Sequence, residues 1–407
     1  MKYLIVIGDG MADYPVESLG GKTLLQAART PEMDFFASRG KVGLVRLTPP
    51  GFSPGSDVTQ LSLLGYDPRK FYTGRSPLEA ASIGVSLEPD DVAFRCNLVT
   101  LRSPSGKFPE RFSEDLIMED YSGGHIPTDE SRPILKSLDQ ALKTDEFRFY
   151  PGISYRHLFV WKGGKTRMIC TPPHDFTGKP IGPHIPQGEG ADVLNRITNA
   201  AFAVLRDTVV NRIRLAQGDL PANSIWLWGQ GKAPQLVPFK DRYGLSGSMI
   251  SAVDLMKGIG IYAGFDIIKV PGATGYLDTN YVGKAEYALR ELKENGKDIV
   301  YVHVEAPDEA GHNGDLQGKL QAIEDFDAKV VGTLRRGMEG EAFRIMILPD
   351  HPTPVALRTH TPEPIPFILY DSREQEKSGR TYDEEEGKKS GWLIDDGTAL
   401  IDEFLKA

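Results

Sequence analysis

The stretch that decides the fold is KYLIVIGDG, residues 2–10, in which an apolar run ends at Ile7 and an aspartate follows between two glycines. The run has the length of a buried strand and is far shorter than the roughly 18 apolar residues of a membrane helix. Gly8 and Gly10 let the backbone turn tightly beside Asp9. The sequence therefore predicts a first sheet strand with Asp9 at its carboxyl end.

Further strand-like runs alternate with helical patterns at both ends of the chain. Strands are predicted at 3–7, 42–47, 224–228, 298–303 and 345–348. Amphipathic segments are predicted near 30–39, 247–260, 279–294 and 315–337. This alternation is typical of an α/β fold in which a mostly parallel sheet is sandwiched by helices.

The middle of the sequence has a different texture, with short apolar stretches broken by Gly, Pro and charged residues. This change predicts an inserted α+β cap domain that handles substrate, over residues 76–220. Residues 1–75 and 221–407 would then form the two parts of one core domain.

Composition narrows the classes of function. The chain has 407 residues, a net charge of -9 and two cysteines, Cys96 and Cys170. An acidic chain without a basic cluster argues against general nucleic-acid binding. The lack of a long apolar run argues against a membrane protein, and two distant cysteines favour a reducing cytoplasm over a disulfide framework. The oligomeric state cannot be inferred from these features.

Potential metal ligands follow several of the predicted strands. Asp9 follows the first strand, Asp308 and His312 follow the strand at 298–303, and Asp350-His351 follows the strand at 345–348, with His360 nine residues later. The carboxyl ends of parallel strands are where such sheets hold functional groups. Taken singly, Asp9 could be a turn former and the Asp308/His312 pair a solvated one.

Ser56, in the segment PGSD at 54–57, has two interpretations. It precedes a helical run, so it could be a helix N-cap, for which serine is a preferred residue. It could also be a nucleophile, because a helix N-terminus stabilises an anionic phosphate. Together with the carboxylates and imidazoles, Ser56 points to two divalent ions and phosphoryl transfer.

The chain resembles the alkaline phosphatase superfamily and, within it, the archaeal-type cofactor-independent phosphoglycerate mutases. The segments that carry the resemblance are IGDGMAD (7–13), GKTLLQAARTPEMD (21–34), PGSDVTQLSLLGYDP (54–68), YTGRSPLEAASIGV (72–85), YRHLFV (155–160), PGATGYLDTNYVGK (271–284), HVEAPDEAGH (303–312) and PDHPTP (349–354). They span nearly the full length of the chain.

The resemblance implies a fold, an activity and a set of site residues. It implies an alkaline-phosphatase-like core that interconverts 3- and 2-phosphoglycerate through a phosphoserine on Ser56. One metal would be held by Asp9, Ser56, Asp350 and His351, and the second by Asp308, His312 and His360. Mn²⁺ is the expected ion, with Mg²⁺, Zn²⁺ and Co²⁺ as alternatives.

Further residues are expected to serve the small phosphorylated hydroxy-acid substrate. Arg75, Arg156 and Arg214 are the candidates for binding its carboxylate and phosphate. Lys284 is expected near the transferred phosphate, and His157 is a candidate acid/base. His303 is expected to be structural, because it lies within a strand pattern.

Two rival activities share this site. A bacterial subgroup of the same family, proposed to act as homoserine kinases, resembles the chain equally well in IWLWGQG (225–231) and DLMKGIGIYAG (254–264). The residues around the metals cannot separate a kinase-like transferase from a mutase. A metal-dependent phosphatase is the other rival, which a water-excluding cap disfavours.

Overall fold

The computed structural model describes residues 1–206, 208–374 and 377–406. The strands in chain order are β1 Lys2–Gly8, β2 Lys41–Val45, β3 Val92–Arg102, β4 Ile117–Asp120, β5 Phe147–Ile153, β6 Arg156–Trp161, β7 Met168–Ile169, β8 Gln187–Gly188, β9 Ser224–Lys232, β10 Gly247–Ile250, β11 Asp266–Ile267, β12 Ile299–Val304, β13 Phe343–Leu348, β14 Ile365–Asp371 and β15 Leu393–Ile394.

The α-helices follow the same chain order. They are α1 Leu24–Ala27, α2 Pro31–Ala37, α3 Ser56–Leu63, α4 Pro68–Phe71, α5 Ser76–Ser82, α6 Thr128–Leu142, α7 Ala191–Leu205, α8 Val209–Gln217, α9 Phe239–Tyr243, α10 Asp254–Tyr262, α11 Tyr281–Lys293, α12 Ala306–Asn313, α13 Leu316–Asp325, α14 Gly332–Gly337, α15 Glu384–Lys389 and α16 Leu400–Leu405. A π-helical segment, Phe326–Val331, joins α13 to α14.

The chain divides into two compact units, residues 1–72 with 235–407 and residues 73–234. The first unit holds an eight-stranded sheet in the order β11-β10-β12-β1-β13-β14-β2-β15. Strand β14 runs antiparallel to both of its neighbours, and the other described pairings of this sheet are parallel. The predicted α/β class with a mostly parallel sheet is confirmed.

Helices cover both faces of this sheet. Val300 and Val302 of β12 pack with Ala285 and Ala288 of α11 in one apolar cluster. Tyr301 points to the opposite face, where its hydroxyl contacts Gln60 of α3. Strands β12 and β13 are buried along their whole length, as central strands of a doubly covered sheet must be.

The second unit is α+β. Its main sheet has the order β4-β3-β6-β5, with β9 also paired to β3, and the pairings are antiparallel. Apolar side chains of α6 and α7, among them Leu135 and Leu194, pack in one cluster with Phe94 and Phe159 of this sheet.

Two sequence-based expectations need correction. The strand predicted at 224–228 exists, but it belongs to β9 and pairs with β3 in the second unit, so this unit extends to Pro234 and the core does not resume at residue 221. The predicted helix at 247–260 begins only at Asp254. Residues 247–250 are the fully buried strand β10 beside β12, and a short apolar run without alternation does not distinguish strand from helix.

Among the described residues, no helix is both long and apolar enough to cross a bilayer.

Candidate active site

Three carboxylates lie at the carboxyl ends of three neighbouring parallel strands. Asp9 follows β1, Asp350 follows β13 two residues after its end, and Asp308 lies in the first turn of α12, which follows β12. The central order β12-β1-β13 brings the three strand ends to one edge of the sheet. All three side chains are buried, at 5% exposure or less, so negative charge is concentrated away from water.

Ser56 is the first residue of α3, and Gly55 occupies the cap position. The N-cap interpretation of Ser56 is therefore wrong, since its side chain makes no cap hydrogen bond. Its Oγ lies 3.2 Å from Nε2 of His351. The hydroxyl is thus directed at the imidazole beside Asp350 instead of at the helix backbone.

The first group of potential metal ligands contains Asp308, His312 and His360, whose donor atoms lie within 4.8 Å of one another. Nε2 of His312 is 3.3 Å from Oδ2 of Asp308, and Nε2 of His360 is 3.4 Å from Oδ1. Asp308 and His312 share one face of α12, as their spacing predicted. His360 reaches them from the loop after β13.

The second group contains Asp9, Asp308 and His351, again with donor atoms within 4.8 Å. Nε2 of His351 is 3.5 Å from Oδ1 of Asp9 and 3.3 Å from Oδ2 of Asp350. Asp308 thus takes part in both groups. Two adjacent sites that share a carboxylate are suited to a pair of cations.

Hydrogen bonds fix the imidazoles so that Nε2 is free to bind a metal. The Nδ1–H of His312 donates to the carbonyl of Arg358 at 3.0 Å. The hydroxyl of Thr353 donates to Oδ1 of Asp308, so Nδ1–H of His351, 3.2 Å away, donates to Thr353 Oγ1. Such outer contacts orient metal-ligating histidines. The sequence analysis did not identify Thr353 as a site residue.

Asp350 is held by three hydrogen bonds from two segments, helix α3 and the turn after β1. Its Oδ2 accepts from Thr59 Oγ1 at 3.3 Å and from Gln60 Nε2 at 3.0 Å, both in α3, and its Oδ1 accepts from the Gly10 backbone at 3.3 Å. The helix that begins with Ser56 therefore also fixes the carboxylate after β13. This arrangement sets the position of Ser56 relative to the carboxylates.

The electrostatics of the centre favour a bound cation. Burial, and then the charges of Asp350 and Asp308, raise the pKa of Asp9 well above its ordinary value. Burial would also raise the pKa of Asp308, but hydrogen bonds to His312 and His360 outweigh it and hold that pKa low. The same contact with Asp308 raises the pKa of His312 to about 9. Neighbouring buried carboxylates repel one another unless positive charge lies between them.

The residues present fit divalent cations. Oδ1 of Asp9 is buried and has no hydrogen-bond partner among the described residues, although a buried carboxylate oxygen normally has one. The donor set mixes carboxylate oxygens and imidazole nitrogens, which suits Mn²⁺, Mg²⁺ or Zn²⁺. The structure thus contains candidate sites for divalent metals at this edge of the sheet.

Lys284 is fully buried in α11, and its Nζ donates to the carbonyl of His303 at 2.9 Å. Burial lowers the pKa of this ammonium to about 8. His303 is the penultimate residue of β12, and its Nε2 lies 3.1 Å from Oδ2 of Asp9. A lysine expected near the site is therefore linked to Asp9 through a histidine that the sequence analysis had set aside as structural.

Two predicted functional residues of the second unit have contacts that argue against their roles. The guanidinium of Arg214 is buried, donates to the carbonyls of Leu220 and Gly123, and pairs with Glu130, so its donors are occupied by the protein. His157 is buried, and burial lowers its pKa to about 3, which leaves it neutral and out of reach of solvent. The substrate role of Arg214 and the acid/base role of His157 stay predictions.

Arg75 and Arg156 are exposed, and they lie near a third arginine that the sequence analysis missed. Arg95 and Arg75 both bind the carboxylate of Glu79, with Nε–O distances of 3.1 and 3.2 Å. Burial, and the charges of Arg75 and Arg156, lower the pKa of Arg95. Its guanidinium also stacks on Trp228, 4.4 Å from the ring centroid. Two guanidinium groups share the Glu79 carboxylate, and the charge of a third, Arg156, acts on Arg95, which leaves a local positive charge suited to an anion.

Comparison with known proteins shows the family to which the chain is similar. The family model for 2,3-bisphosphoglycerate-independent phosphoglycerate mutase matches residues 37–211. A probable member from Geobacter sulfurreducens is 54% identical over 407 residues, covering all of both chains, and one from Methanosarcina acetivorans is 53% identical over 96% of each.

Solved structures show the same fold. A Pyrococcus horikoshii protein superposes with a TM-score of 0.82 at 27% identity, over 99% of this chain and 96% of its own. The cofactor-independent phosphoglycerate mutase of Thermoplasma acidophilum superposes with a TM-score of 0.69 at 25% identity, over 100% and 99%. The chain belongs to the family of 2,3-bisphosphoglycerate-independent phosphoglycerate mutases.

Proposed function

We propose that this protein interconverts 3-phosphoglycerate and 2-phosphoglycerate through a phosphoserine at Ser56. The observation that carries the proposal is the Ser56 hydroxyl, 3.2 Å from Nε2 of His351 and beside three converging carboxylates. Full-length relatives that bear this activity in their names support it.

The proposed reaction consists of two phosphoryl transfers. Oγ of Ser56 forms a bond to phosphorus as the bond from phosphorus to the substrate's 3-oxygen breaks, and the serine proton ends on the glycerate. The glycerate then turns, and its 2-oxygen takes the phosphoryl group while Ser56 recovers a proton. Because Ser56 takes the phosphoryl group from the substrate and returns it to the same glycerate, no bisphosphorylated cofactor is needed.

Two divalent ions, with Mn²⁺ as the proposed species, would lower the pKa of the serine hydroxyl and neutralise the charge of the phosphoryl group. The proposed ligands are Asp9, Ser56, Asp350 and His351 for one ion and Asp308, His312 and His360 for the other. The sharing of Asp308 between the two groups supports a close pair of ions.

The remaining roles concern the substrate's charges. Lys284 is proposed to add positive charge near the transferred phosphoryl group, which its buried position beside His303 supports. Arg75 and Arg156, with Arg95, are proposed to bind the carboxylate or phosphate of the substrate. We further propose a cytoplasmic location, in keeping with Cys96 and Cys170, which are both free thiols.

An enolase-coupled assay tests the proposal. The purified protein with Mn²⁺ should convert 3-phosphoglycerate, and Ser56→Ala should lose activity by about a thousandfold or more. Ser53→Ala, which removes an exposed hydroxyl three residues away, should retain wild-type turnover. Label from ³²P-phosphoglycerate should be trapped on the peptide that contains Ser56.

Parallel reactions separate the rival activities. The first reaction replaces phosphoglycerate by ATP and homoserine and tests for the kinase-like transferase. The second measures release of inorganic phosphate and tests for the phosphatase. Turnover by Ser56→Ala at the wild-type rate would refute the proposed role of Ser56 as the nucleophile. Ser56-dependent phosphohomoserine formation without mutase activity would refute the proposed substrate.

A further inference from the structure

His303 faces Asp9 from the adjacent strand. In the parallel pairing of β1 with β12, His303 is the partner of Ile7, two residues before Asp9. The side chain is fully buried, and its Nε2 lies 3.1 Å from Oδ2 of Asp9. His303 thus lies behind the carboxylate whose other oxygen, Oδ1, has no hydrogen-bond partner in the part of the chain that the structure describes.

Two further contacts hold His303 in place. Its carbonyl accepts from the ammonium of Lys284 at 2.9 Å, and its Nδ1 lies 3.3 Å from Oγ of Ser251. Ser251 Oγ in turn accepts from the backbone N–H of Val253 at 3.0 Å. Both the backbone and the far side of the ring are therefore anchored, and the near side is directed at Asp9.

The hydrogen-bond pattern determines which ring nitrogen carries the proton. Because Ser251 already accepts from Val253, its own hydroxyl proton is available to donate to Nδ1. Nε2 then carries the ring proton. The opposite tautomer would place a nitrogen lone pair 3.1 Å from a carboxylate oxygen in a buried site, which is repulsive.

Nε2 of His303 is buried, and among the described residues Asp9 Oδ2, at 3.1 Å, is the carboxylate oxygen that it faces. We infer that His303 is a positioning residue: it fixes the Asp9 carboxylate through Oδ2, so that Oδ1 stays directed at a bound cation. Ser251 supports it by fixing the tautomer. This inference rests on the proposed metal centre and does not depend on which phosphoryl acceptor the enzyme uses.

Mn²⁺ titration of the apoprotein by calorimetry, without substrate, tests this inference. His303→Leu removes the donor and should weaken one of the two Mn²⁺ sites by about 10- to 100-fold, the usual effect of losing an outer-sphere contact. His303→Gln keeps an N–H donor at similar reach and should stay within about fivefold of wild type. Ser251→Ala should weaken the same site by a smaller factor.

A matched control is available in the second unit. His157 is also a buried strand histidine whose Nε2 has no partner, but it is not paired with a carboxylate at ion-pair distance in the described part of the chain. His157→Leu should leave both Mn²⁺ constants unchanged. The unfolding temperature of each apoprotein is measured alongside.

Several outcomes would overturn the inference. His303→Leu with wild-type constants at both sites would remove the positioning role. Loss of a whole equivalent of Mn²⁺ in the Leu and Gln variants alike would make His303 a ligand. Equal weakening of both sites with a lower apoprotein unfolding temperature would make its role structural. A wild-type protein that binds no Mn²⁺ would refute the metal centre itself.

Discussion

Nε2 of His312 lies 2.8 Å from Nε2 of His360, and both nitrogens lie within 3.4 Å of the Asp308 carboxylate. Nδ1–H of His312 donates to a backbone carbonyl, so Nε2 is the nitrogen that can give up its proton to bind a cation on the side that faces His360. Two imidazoles and one carboxylate directed at a common point form three of the ligands that a tetrahedral or octahedral cation needs.

Removal of the His360 imidazole should therefore prevent the group of Asp308, His312 and His360 from holding a metal ion. We expect His360→Ala to lose one of two bound Mn²⁺ equivalents and to reduce mutase turnover by roughly a hundredfold or more. Metal content is measured by mass spectrometry after dialysis against limiting Mn²⁺. His184→Ala, at a histidine stacked on Phe176 in the second unit, provides the control. Two equivalents retained by the His360 variant would contradict the assignment.

Thr353 links the two ligand groups, because its hydroxyl contacts both Asp308 and His351. Thr353→Val keeps the shape of the side chain but removes the hydroxyl. We expect Mn²⁺ binding to weaken by roughly tenfold, since two ligands lose their orienting contact. Calorimetric titration of the apoprotein measures this change.

Thr353→Ser is the matched control for the hydroxyl. It should bind Mn²⁺ within about threefold of wild type, because the donor is retained and only a methyl group is lost. If Thr353→Ser is as weak as Thr353→Val, the effect arises from packing and the hydrogen-bond explanation is wrong.

The strand ends were predictable because their chemistry is local. A buried run followed by Asp9, or by Asp350-His351, identifies a ligand position within a few residues, and parallel pairing then brings such positions together. The order of the strands was not needed for this inference. The same logic correctly placed Asp308 and His312 on one face of a helix.

The sequence is less informative about residues whose surroundings depend on distant parts of the chain. Arg214 and Arg156 have the same side chain, but the first is buried among Glu130, Gly123 and Leu220, and the second is exposed. Nothing within a few positions of either arginine reveals this difference. His303 lies within an apolar strand, and the sequence pattern alone therefore suggests a structural residue. Only the register between β12 and β1 reveals that it lies against Asp9.

The two arginines should therefore behave in opposite ways. Arg214→Met removes a buried guanidinium that satisfies two carbonyls and pairs with the part-exposed Glu130, and it should destabilise the protein by roughly 2 kcal/mol. The KM for phosphoglycerate should change by less than about twofold. Arg156→Ala should leave the unfolding temperature unchanged and raise that KM roughly tenfold, because a charge-assisted contact to the substrate is lost.

Thermal unfolding and steady-state kinetics, measured on the same preparations of the Arg214 and Arg156 variants, distinguish a structural role from a substrate-binding role. Arg132→Ala, at an exposed arginine of α6, is the control for loss of surface charge and should change neither quantity. A tenfold rise in KM for Arg214→Met at unchanged stability would restore its predicted substrate role.

Glu384, the first residue of α15, joins that helix to the segment after β1. Its Oε1 accepts from the Asp13 backbone at 3.1 Å, and its Oε2 accepts from Thr23 Oγ1 at 2.6 Å. Burial raises the pKa of this carboxyl to about 7 from an ordinary value of 4.5. The folded state therefore holds a proton between these two pH values that the unfolded state has lost.

The sign of the pH dependence follows from this difference. Where the folded state binds more protons, the free energy of unfolding falls as pH rises, so the contribution of Glu384 decreases from about pH 4.5 to about pH 7. Glu384→Gln is neutral at every pH and can still accept from Asp13 while donating to Thr23. We expect its unfolding temperature to match wild type near pH 5 and to exceed it by on the order of 3 °C at pH 8.

Thermal scans of the wild-type and Glu384→Gln apoproteins at intervals between pH 5 and pH 8 measure the difference in unfolding temperature. Glu385→Gln is the control, because it changes the neighbouring, half-exposed carboxylate, which pairs with Lys388 on the surface. Its unfolding temperature should differ little from wild type at every pH. If Glu384→Gln is less stable than wild type at pH 8, the carboxylate is charged and favourable in the folded protein. Its two hydrogen bonds would then outweigh the cost of its burial.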